Sequence, residues 1–113
     1  MPHLNTLRYH RRRWALTQTE VTRLVGLKAR SAMSDHERNA RWPALEVALA
    51  YQFLFDLPVG ELFADTRQRV EETVVRRAAA LDEVYRSRSD ATSKLKLNFI
   101  QDLVARASVT PHS

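Results

Sequence analysis

The sequence predicts an all-α protein, and three features of its residue pattern indicate this. Thr17 and Glu20 have the spacing of a capping box, in which two side chains bond the free backbone amides of a helix start. Gly26 follows the last residue of the apolar pattern, where a left-handed conformation can end that helix. After residue 64, apolar residues step by three or four along two long segments, as they do on one face of a helix.

The first predicted helix spans residues 5–15, with Asn5 or Thr6 as its N-cap. Leu7, His10 or Arg11, and Trp14 are expected along one side of it, so its apolar face is thin. Arginines occupy most of its circumference, namely Arg8, Arg11, Arg12 and Arg13. At least two of these arginines must therefore face solvent or a phosphate.

The second predicted helix begins at the Thr17 cap and stops at Gly26. Its apolar residues are Val21, Leu24 and Val25. Leu24 and Val25 follow Val21 by three and four positions, which predicts that the three residues share one buried face. A tight turn then leads into the next helix.

The third predicted helix covers about residues 29–38 and carries small and polar side chains where a buried helix would carry leucines. Its expected inward residues are Ala32, Met33 and His36. Its expected outward residues are Arg30, Ser31, Ser34 and Asp35. A helix without a long apolar face is suited to presenting side chains to a partner.

A fourth helix is predicted for residues 44–55, and we expect it to be the buried central helix. Leu45, Leu49 and Phe53, and also Ala48, Gln52 and Phe55, are distributed around it. Trp42, in the loop before it, could pack as a lid on the core or stack on a base, and we expect the lid. A short last helix over residues 59–63 should close this core with Leu62 and Phe63.

Two amphipathic helices are predicted in the remaining chain, one from Asp65 or Thr66 to Ser87 and one over residues 92–107. They could fold back on the first five helices or pair with the same helices of a second chain. We expect a homodimer, because the five-helix core is complete by Phe63 and leaves this apolar face without an internal partner. The expected dimerisation residues are Val70, Val74, Leu81, Tyr85, Phe99 and Leu103.

The charge of the chain is distributed unevenly. Residues 1–43 hold nine Lys and Arg against three acids, whereas residues 44–113 hold nine against ten. A basic region that coincides with a presenting helix favours a polyanionic partner. The chain has no cysteine and no apolar run as long as the roughly 18 residues of a membrane span. We therefore expect a cytoplasmic protein with no membrane partner.

The sequence lacks the patterns of catalytic and metal sites. No two of its four histidines have the i, i+4 spacing of a helical metal pair, so we expect no metal. Two glycines are too few for a glycine-rich phosphate loop. We expect neither a cofactor nor an enzymatic activity.

Residues 5–63 resemble the Cro/phage-repressor (XRE) type of helix-turn-helix protein. Two stretches carry the resemblance, LTQTEVTRLVGL and SAMSDHERNARWPALEVALAYQFLFDLPVGELF. Its specific elements are Leu16-Thr17-Gln18 opening the first motif helix, Gly26 in the turn, Glu37 closing the second motif helix, Pro43 after a basic loop, and Leu62-Phe63. This sequence departs from the pattern at Thr22, where a small alanine is usual, at a longer turn around Lys28, and at His36, where an aliphatic residue is usual.

The resemblance implies a five-helix Cro/repressor-like helix-turn-helix domain in residues 1–63, ahead of a two-helix C-terminal extension in residues 64–113. It also implies a sequence-specific transcriptional regulator, most often a repressor, that binds an inverted repeat in double-stranded DNA as a homodimer. The implied base readers are Arg30, Ser31, Ser34 and Asp35. The implied phosphate contacts are Gln18, Lys28, Arg38 and Arg41.

Two alternatives remain open at this stage. The chain could be an antitoxin or accessory factor whose C-terminal helices bind a protein partner. It could also bind RNA, although the third helix lacks the exposed aromatic residues on which single-stranded bases stack.

The role of Arg30 also has two alternatives. Its guanidinium could bond O6 and N7 of a guanine or merely touch a backbone phosphate.

Overall fold

The computed structural model describes residues 5–109, with side chains to residue 107, and this part of the chain is all-helical. It contains seven α-helices and no strand. The helices are α1 (Leu7–Arg13), α2 (Gln18–Val25), α3 (Arg30–Glu37), α4 (Leu45–Phe55), α5 (Val59–Leu62), α6 (Ala64–Tyr85) and α7 (Ala91–Val109). The predicted all-α class is confirmed.

The chain divides into two compact units between Arg67 and Gln68. This division falls one helical turn after the boundary predicted at residue 63, inside α6. The first unit contains α1 to α5, and the second contains most of α6 and all of α7. Among the described residues, no helix is both long and apolar enough to cross a membrane.

Helix α1 is anchored at its start by Asn5. The side-chain oxygen of Asn5 accepts a hydrogen bond from the Leu7 amide at 3.0 Å, and its Nδ2 donates to the carbonyl of His36 at 2.6 Å. Leu7 is fully buried, but Trp14 is 64% exposed, so the prediction that Trp14 faces the core is wrong. Of the two residues expected one turn after Leu7, Arg11 is the buried one, because its charge is compensated inside the unit.

Helices α2 and α3 follow their predicted signals closely. Thr17 and Glu20 form the complete capping box, and Gly26 ends α2 in the left-handed region at φ +80°. Val21 is buried as expected, whereas Leu24 is exposed, which corrects its predicted place in the core. Thr22 is buried instead of Leu24. Its hydroxyl donates to the carbonyl of Gln18 at 2.7 Å, so its hydrogen-bonding capacity is satisfied without water.

Helix α4 is buried on one face only, which corrects the prediction of a buried central helix. Ala48, Tyr51 and Phe55 point into the core, and Ala48 and Phe55 are among the residues that the sequence singled out. Leu45, Leu49 and Phe53, which were expected in the same buried helix, lie outside and are 72%, 48% and 90% exposed. Trp42 is 62% exposed, so the prediction that it forms a lid on the core is wrong. Five other side chains are fully buried in the core. These are Leu7, Val21, Met33, Tyr51 and Leu62.

Tyr51 holds α3 and α4 together through a buried hydrogen-bonded cluster. Its hydroxyl donates to Sδ of Met33 at 3.1 Å and lies 2.8 Å from Nδ1 of His36. Burial, with the charge of Glu37 nearby, raises the pKa of Tyr51, so the phenol stays protonated. His36 is thus a satisfied core residue, and it occupies the inward position that the sequence predicted.

A buried ion pair joins α1 to α3. Nε of Arg11 lies 2.6 Å from Oε2 of Glu37, and a second nitrogen donates to Oε1 at 3.3 Å. The remaining guanidinium nitrogen donates to the carbonyl of Leu16 at 2.8 Å, which also fixes the loop between α1 and α2. Each charge of the pair is therefore compensated where water has little access.

Between residues 5 and 109, three residues other than glycine adopt positive φ, each just after a helix. They are Ala15 at +57°, Asn39 at +58° and Asp56 at +53°. Asn and Asp tolerate this region because their short polar side chains bond locally, whereas alanine has no such compensation.

The second unit is a pair of long helices with little interior. Ala78 and Ile100 are its buried apolar residues. Asp90 precedes helix α7, and its carboxylate accepts from the Ser93 amide at 3.0 Å and from the Ser93 hydroxyl at 2.7 Å. These bonds lower the pKa of Asp90 and fix the start of the helix.

The stability of the first unit should fall as the pH is lowered from about 7 to 5. Burial, helped by the charge of Arg41 and opposed by Asp35, lowers the pKa of His36 below its ordinary value of 6.5. The unfolded chain then binds a proton that the folded chain resists, so the free energy of unfolding decreases as the pH falls below about 6.5. Urea denaturation at several pH values should show this slope, and His36→Gln should flatten it. An unchanged slope in His36→Gln would assign the effect to other groups.

Glu37→Ala should destabilise the first unit by about 3–5 kcal/mol, because it leaves the Arg11 guanidinium buried without a counterion. Replacing both members, as in Arg11→Met with Glu37→Leu, should recover much of this loss. Glu46→Ala is the matched control, since Glu46 is exposed and its loss should matter little. Chemical denaturation of the four proteins compares their free energies of unfolding, and equal losses in Glu37→Ala and Glu46→Ala would contradict the prediction.

Candidate nucleic-acid interface

The outward face of α3 carries the four residues predicted to read bases. Arg30 and Ser31 are exposed at its start, and Ser34 and Asp35 are half-buried one turn later. The opposite, inner face of the helix consists of the buried side chains of Met33, His36 and Glu37. The outer face is therefore presented by a helix whose inner face is fixed in the core.

Gln18 connects the buried ion pair to the first residue of α3. Its Nε2 donates to Oε1 of Glu37 at 3.0 Å. Its Oε1 accepts from a terminal nitrogen of Arg30 at 2.9 Å. The order Arg11, Glu37, Gln18, Arg30 is thus a continuous hydrogen-bonded chain from the core to the surface, which restricts where the Arg30 guanidinium can lie.

A second cluster lies at the other end of α3. Asp35 accepts a hydrogen bond from Arg38 at 2.6 Å, and a terminal nitrogen of Arg41 stands 3.9 Å from its other carboxylate oxygen. Both arginines are largely exposed, so these ion pairs are weak and exchangeable. A predicted base reader is therefore held beside two predicted phosphate contacts.

A cleft of about 510 Å³ lies where α1 meets the start of α2. It is lined by Arg8, Arg11, Arg12, Leu16, Thr17, Gln18, Thr19 and Arg30. None of these lining residues is acidic, and Arg11 is already compensated by Glu37. Arg8, Arg12 and Arg30 thus bring three further guanidinium groups to one surface, beside the backbone amides that begin α2.

Sequence reasoning found Gln18 and Arg30 but did not single out Arg8 and Arg12. The available signal was the run of arginines in the first helix, of which at least two had to face outward. Lys28, another predicted phosphate contact, lies exposed in the turn between α2 and α3.

The acids of residues 5–43 are all engaged within the first unit. Glu37 pairs with Arg11, and Asp35 pairs with Arg38. Glu20 accepts from the Thr17 amide, and its bonds with Thr17 lower its pKa. The exposed surface around α3 consequently keeps its positive charge at neutral pH.

The second unit carries an apolar groove of about 570 Å³ between α6 and α7. It is lined by Val74, Arg77, Ala78, Leu81, Tyr85, Leu95, Lys96, Phe99, Ile100 and Leu103. Five of the predicted dimerisation residues are in this lining, and one of them, Tyr85, has Lys96 and Arg88 over its ring at 4.9 and 5.1 Å. The sixth, Val70, lines an adjoining groove that shares Val74 and Leu103 with the first.

No group of three His, Asp or Glu side chains within the described residues converges as a metal site would. His10 and His36 have different partners. The ring of His10 lies near that of Phe55, and His36 bonds the hydroxyl of Tyr51. His3 and His112 lie outside the described residues.

Three comparisons with known proteins complete the description of the chain. The sequence matches no protein-family model and no curated protein, and no solved structure is matched.

Proposed function

We propose that the chain is a sequence-specific DNA-binding transcriptional regulator of the Cro/repressor helix-turn-helix type. In this proposal α1 to α5 form the DNA-binding domain, α2 and α3 form the motif, and α6 and α7 form a C-terminal extension. The observation that carries it is the surface of α3, where polar residues stand between two arginine clusters. All acids near this surface are already engaged by the chain itself.

The two clusters suit the two strands that border a DNA groove. Arg8, Arg12 and Gln18 at one end, and Arg38 and Arg41 at the other, can bond phosphate oxygens as α3 enters the major groove. Arg38 and Arg41 exchange the Asp35 carboxylate for phosphate at little cost, since exposed ion pairs are weak. Asp35 is then free to accept from a base donor such as the cytosine amino group.

The role of Arg30 depends on its bond to Gln18. Arg30 can retain that bond and remain above the cleft, where a phosphate is the natural ligand. It can also exchange Gln18 for a guanine, whose O6 and N7 match the guanidinium fork. We favour the guanine, because Arg30 is the exposed first residue of α3 and a single hydrogen bond to a neutral amide contributes only about 1 kcal/mol.

We further propose that the protein acts as a homodimer joined through α6 and α7. A two-helix unit cannot bury its own apolar face, and a second copy supplies a face of the same length to complete a four-helix bundle. Leu81, Leu95 and Phe99 are exposed along this face, which supports the proposal. The same groove fits the alternative of an accessory protein that binds a helical partner, and the mass measurement below separates the two.

Binding to duplex DNA should weaken steeply with added salt, since each phosphate contact releases about 0.9 counterion. Arg38→Ala and Arg41→Ala should lower the affinity for specific and random duplexes about equally, because phosphates carry no sequence information. Fluorescence anisotropy over a range of salt concentrations measures both effects. Arg76→Ala, in the second unit, removes the same charge and should leave the salt slope unchanged. A flat salt response of the unaltered protein would contradict DNA binding.

Arg30→Ala should abolish the preference for one base pair of the operator at a cost of about 1–3 kcal/mol. Selection from a random duplex pool, followed by sequencing, gives the binding motif of each variant. If the motif is unchanged and the affinity falls evenly, Arg30 contacts phosphate, and base reading passes to Ser31 or Ser34. Gln18→Ala is compared in the same selection, because it removes the hydrogen bond that holds Arg30 and leaves the charge of Arg30 unchanged.

Phe99→Asp should convert the dimer to a monomer and weaken binding to an inverted repeat, because it places a charge in the proposed interface. Val84→Asp is the matched control, since Val84 is also exposed on α6 but does not line the groove. Light scattering at micromolar concentration reports the mass. A monomeric unaltered protein would contradict the homodimer and favour the accessory-protein alternative.

A further inference from the structure

The outer face of α4 is an apolar stripe that the proposed function does not use. Leu45, Leu49 and Phe53 follow one another at intervals of four residues, so they form one row along the helix. They are 72%, 48% and 90% exposed, while the opposite face of the same helix packs into the core. We refer to these three residues as the α4 stripe.

The α4 stripe does not stabilise the first unit. Phe53 has nearly its whole side chain in solvent, where it gains nothing from folding and adds to the apolar surface in water. Scattered exposed leucines are ordinary, but a row of large apolar residues on one helix face is the pattern of a binding surface. None of the three residues belongs to the arginine clusters or to the groove between α6 and α7.

The charged residues of the segment that carries the α4 stripe are all acidic. From residue 44 to residue 66 the chain has four acids and no lysine or arginine. Glu46, Asp56 and Glu61 are exposed on this segment, and Glu46 follows Leu45 directly. The stripe therefore combines an apolar centre with a negative rim.

The size of the α4 stripe limits what can cover it. From Leu45 to Phe53 the helix rises by about 12 Å, which is the length of two to three helical turns. A stable dimer interface buries about 800 Å² on each partner, more than one short row of three side chains offers. Pairing of two identical stripes would also bring the acids of one copy close to those of the other, at an electrostatic cost.

We infer that the α4 stripe binds a basic amphipathic helix of another protein. Such a helix offers apolar side chains at the same spacing of three and four, and these can lie against Leu45, Leu49 and Phe53. Its lysines or arginines face the negative rim, which also disfavours neutral or acidic helices. This interaction is separate from DNA binding and uses the acidic part of the unit, whereas DNA binding uses the basic part.

A pair of model peptides of about 15 residues tests the inference with the full-length chain. One peptide has a leucine row and lysines elsewhere, and its twin carries glutamates in place of the lysines. We expect the basic peptide to bind with micromolar affinity, the acidic twin to bind at least tenfold more weakly, and NMR amide shifts to map to α4. Phe53→Ser should weaken the basic peptide at least tenfold, and it should fold normally because Phe53 is exposed.

Leu24→Ser is the matched control, since Leu24 is an exposed leucine on α2 of the same unit, and it should bind the basic peptide as the unaltered chain does. Equal binding of the two peptides, absence of binding, or equal losses in Phe53→Ser and Leu24→Ser would overturn the inference. A lower mass of Phe53→Ser in light scattering would overturn it as well, by showing that a second copy covers the stripe. None of these measurements involves DNA, so their failure leaves the proposed regulator untouched.

Discussion

The arrangement of the first unit depends on the buried ion pair between Arg11 and Glu37. The pair spans α1 and α3, reaches α2 through Gln18, and fixes the loop after α1 through the carbonyl of Leu16. Apolar contacts between these helices are non-directional and would tolerate small rotations. A bidentate pair with defined partners does not, because each displaced bond leaves a buried charge uncompensated. The pair therefore sets the orientation of α3, which carries the residues proposed to read DNA.

Local signals were sufficient to predict much of the fold. Thr17, Glu20 and Gly26 act within a few residues of themselves, so their cap and turn geometry could be inferred from the sequence alone. Helix α4 was different, because it is apolar on nearly every side and its periodicity does not identify the buried face. The buried face is the one that carries Tyr51, because its ring fills the core and its hydroxyl bonds Met33 and His36. That choice depends on partners in α3 that only the folded chain brings near.

The candidate interface could be predicted residue by residue but not as an arrangement. Arg30, Asp35 and Arg38 were placed on or beside the outer face of α3 from its spacing. The bonds that connect Arg30 to Gln18, and Asp35 to Arg38 and Arg41, require the relative positions of helices and loops that are distant in sequence. The contribution of Arg8 and Arg12 was open for the same reason. The thin apolar face of the first helix predicts that most of its arginines face outward. It does not predict which neighbouring helix each of them faces.

Ala15 is a point of strain in the connection between α1 and α2. Its φ of +57° costs an alanine roughly 1–2 kcal/mol, and no local side-chain bond offsets that cost. The conformation is imposed from both sides, since the amides of Ala15 and Leu16 donate to carbonyls of α1 while Arg11 holds the carbonyl of Leu16. The bonds around this loop must offset that strain. Arg11 therefore has two structural tasks, since one guanidinium both neutralises Glu37 and holds a strained loop in place.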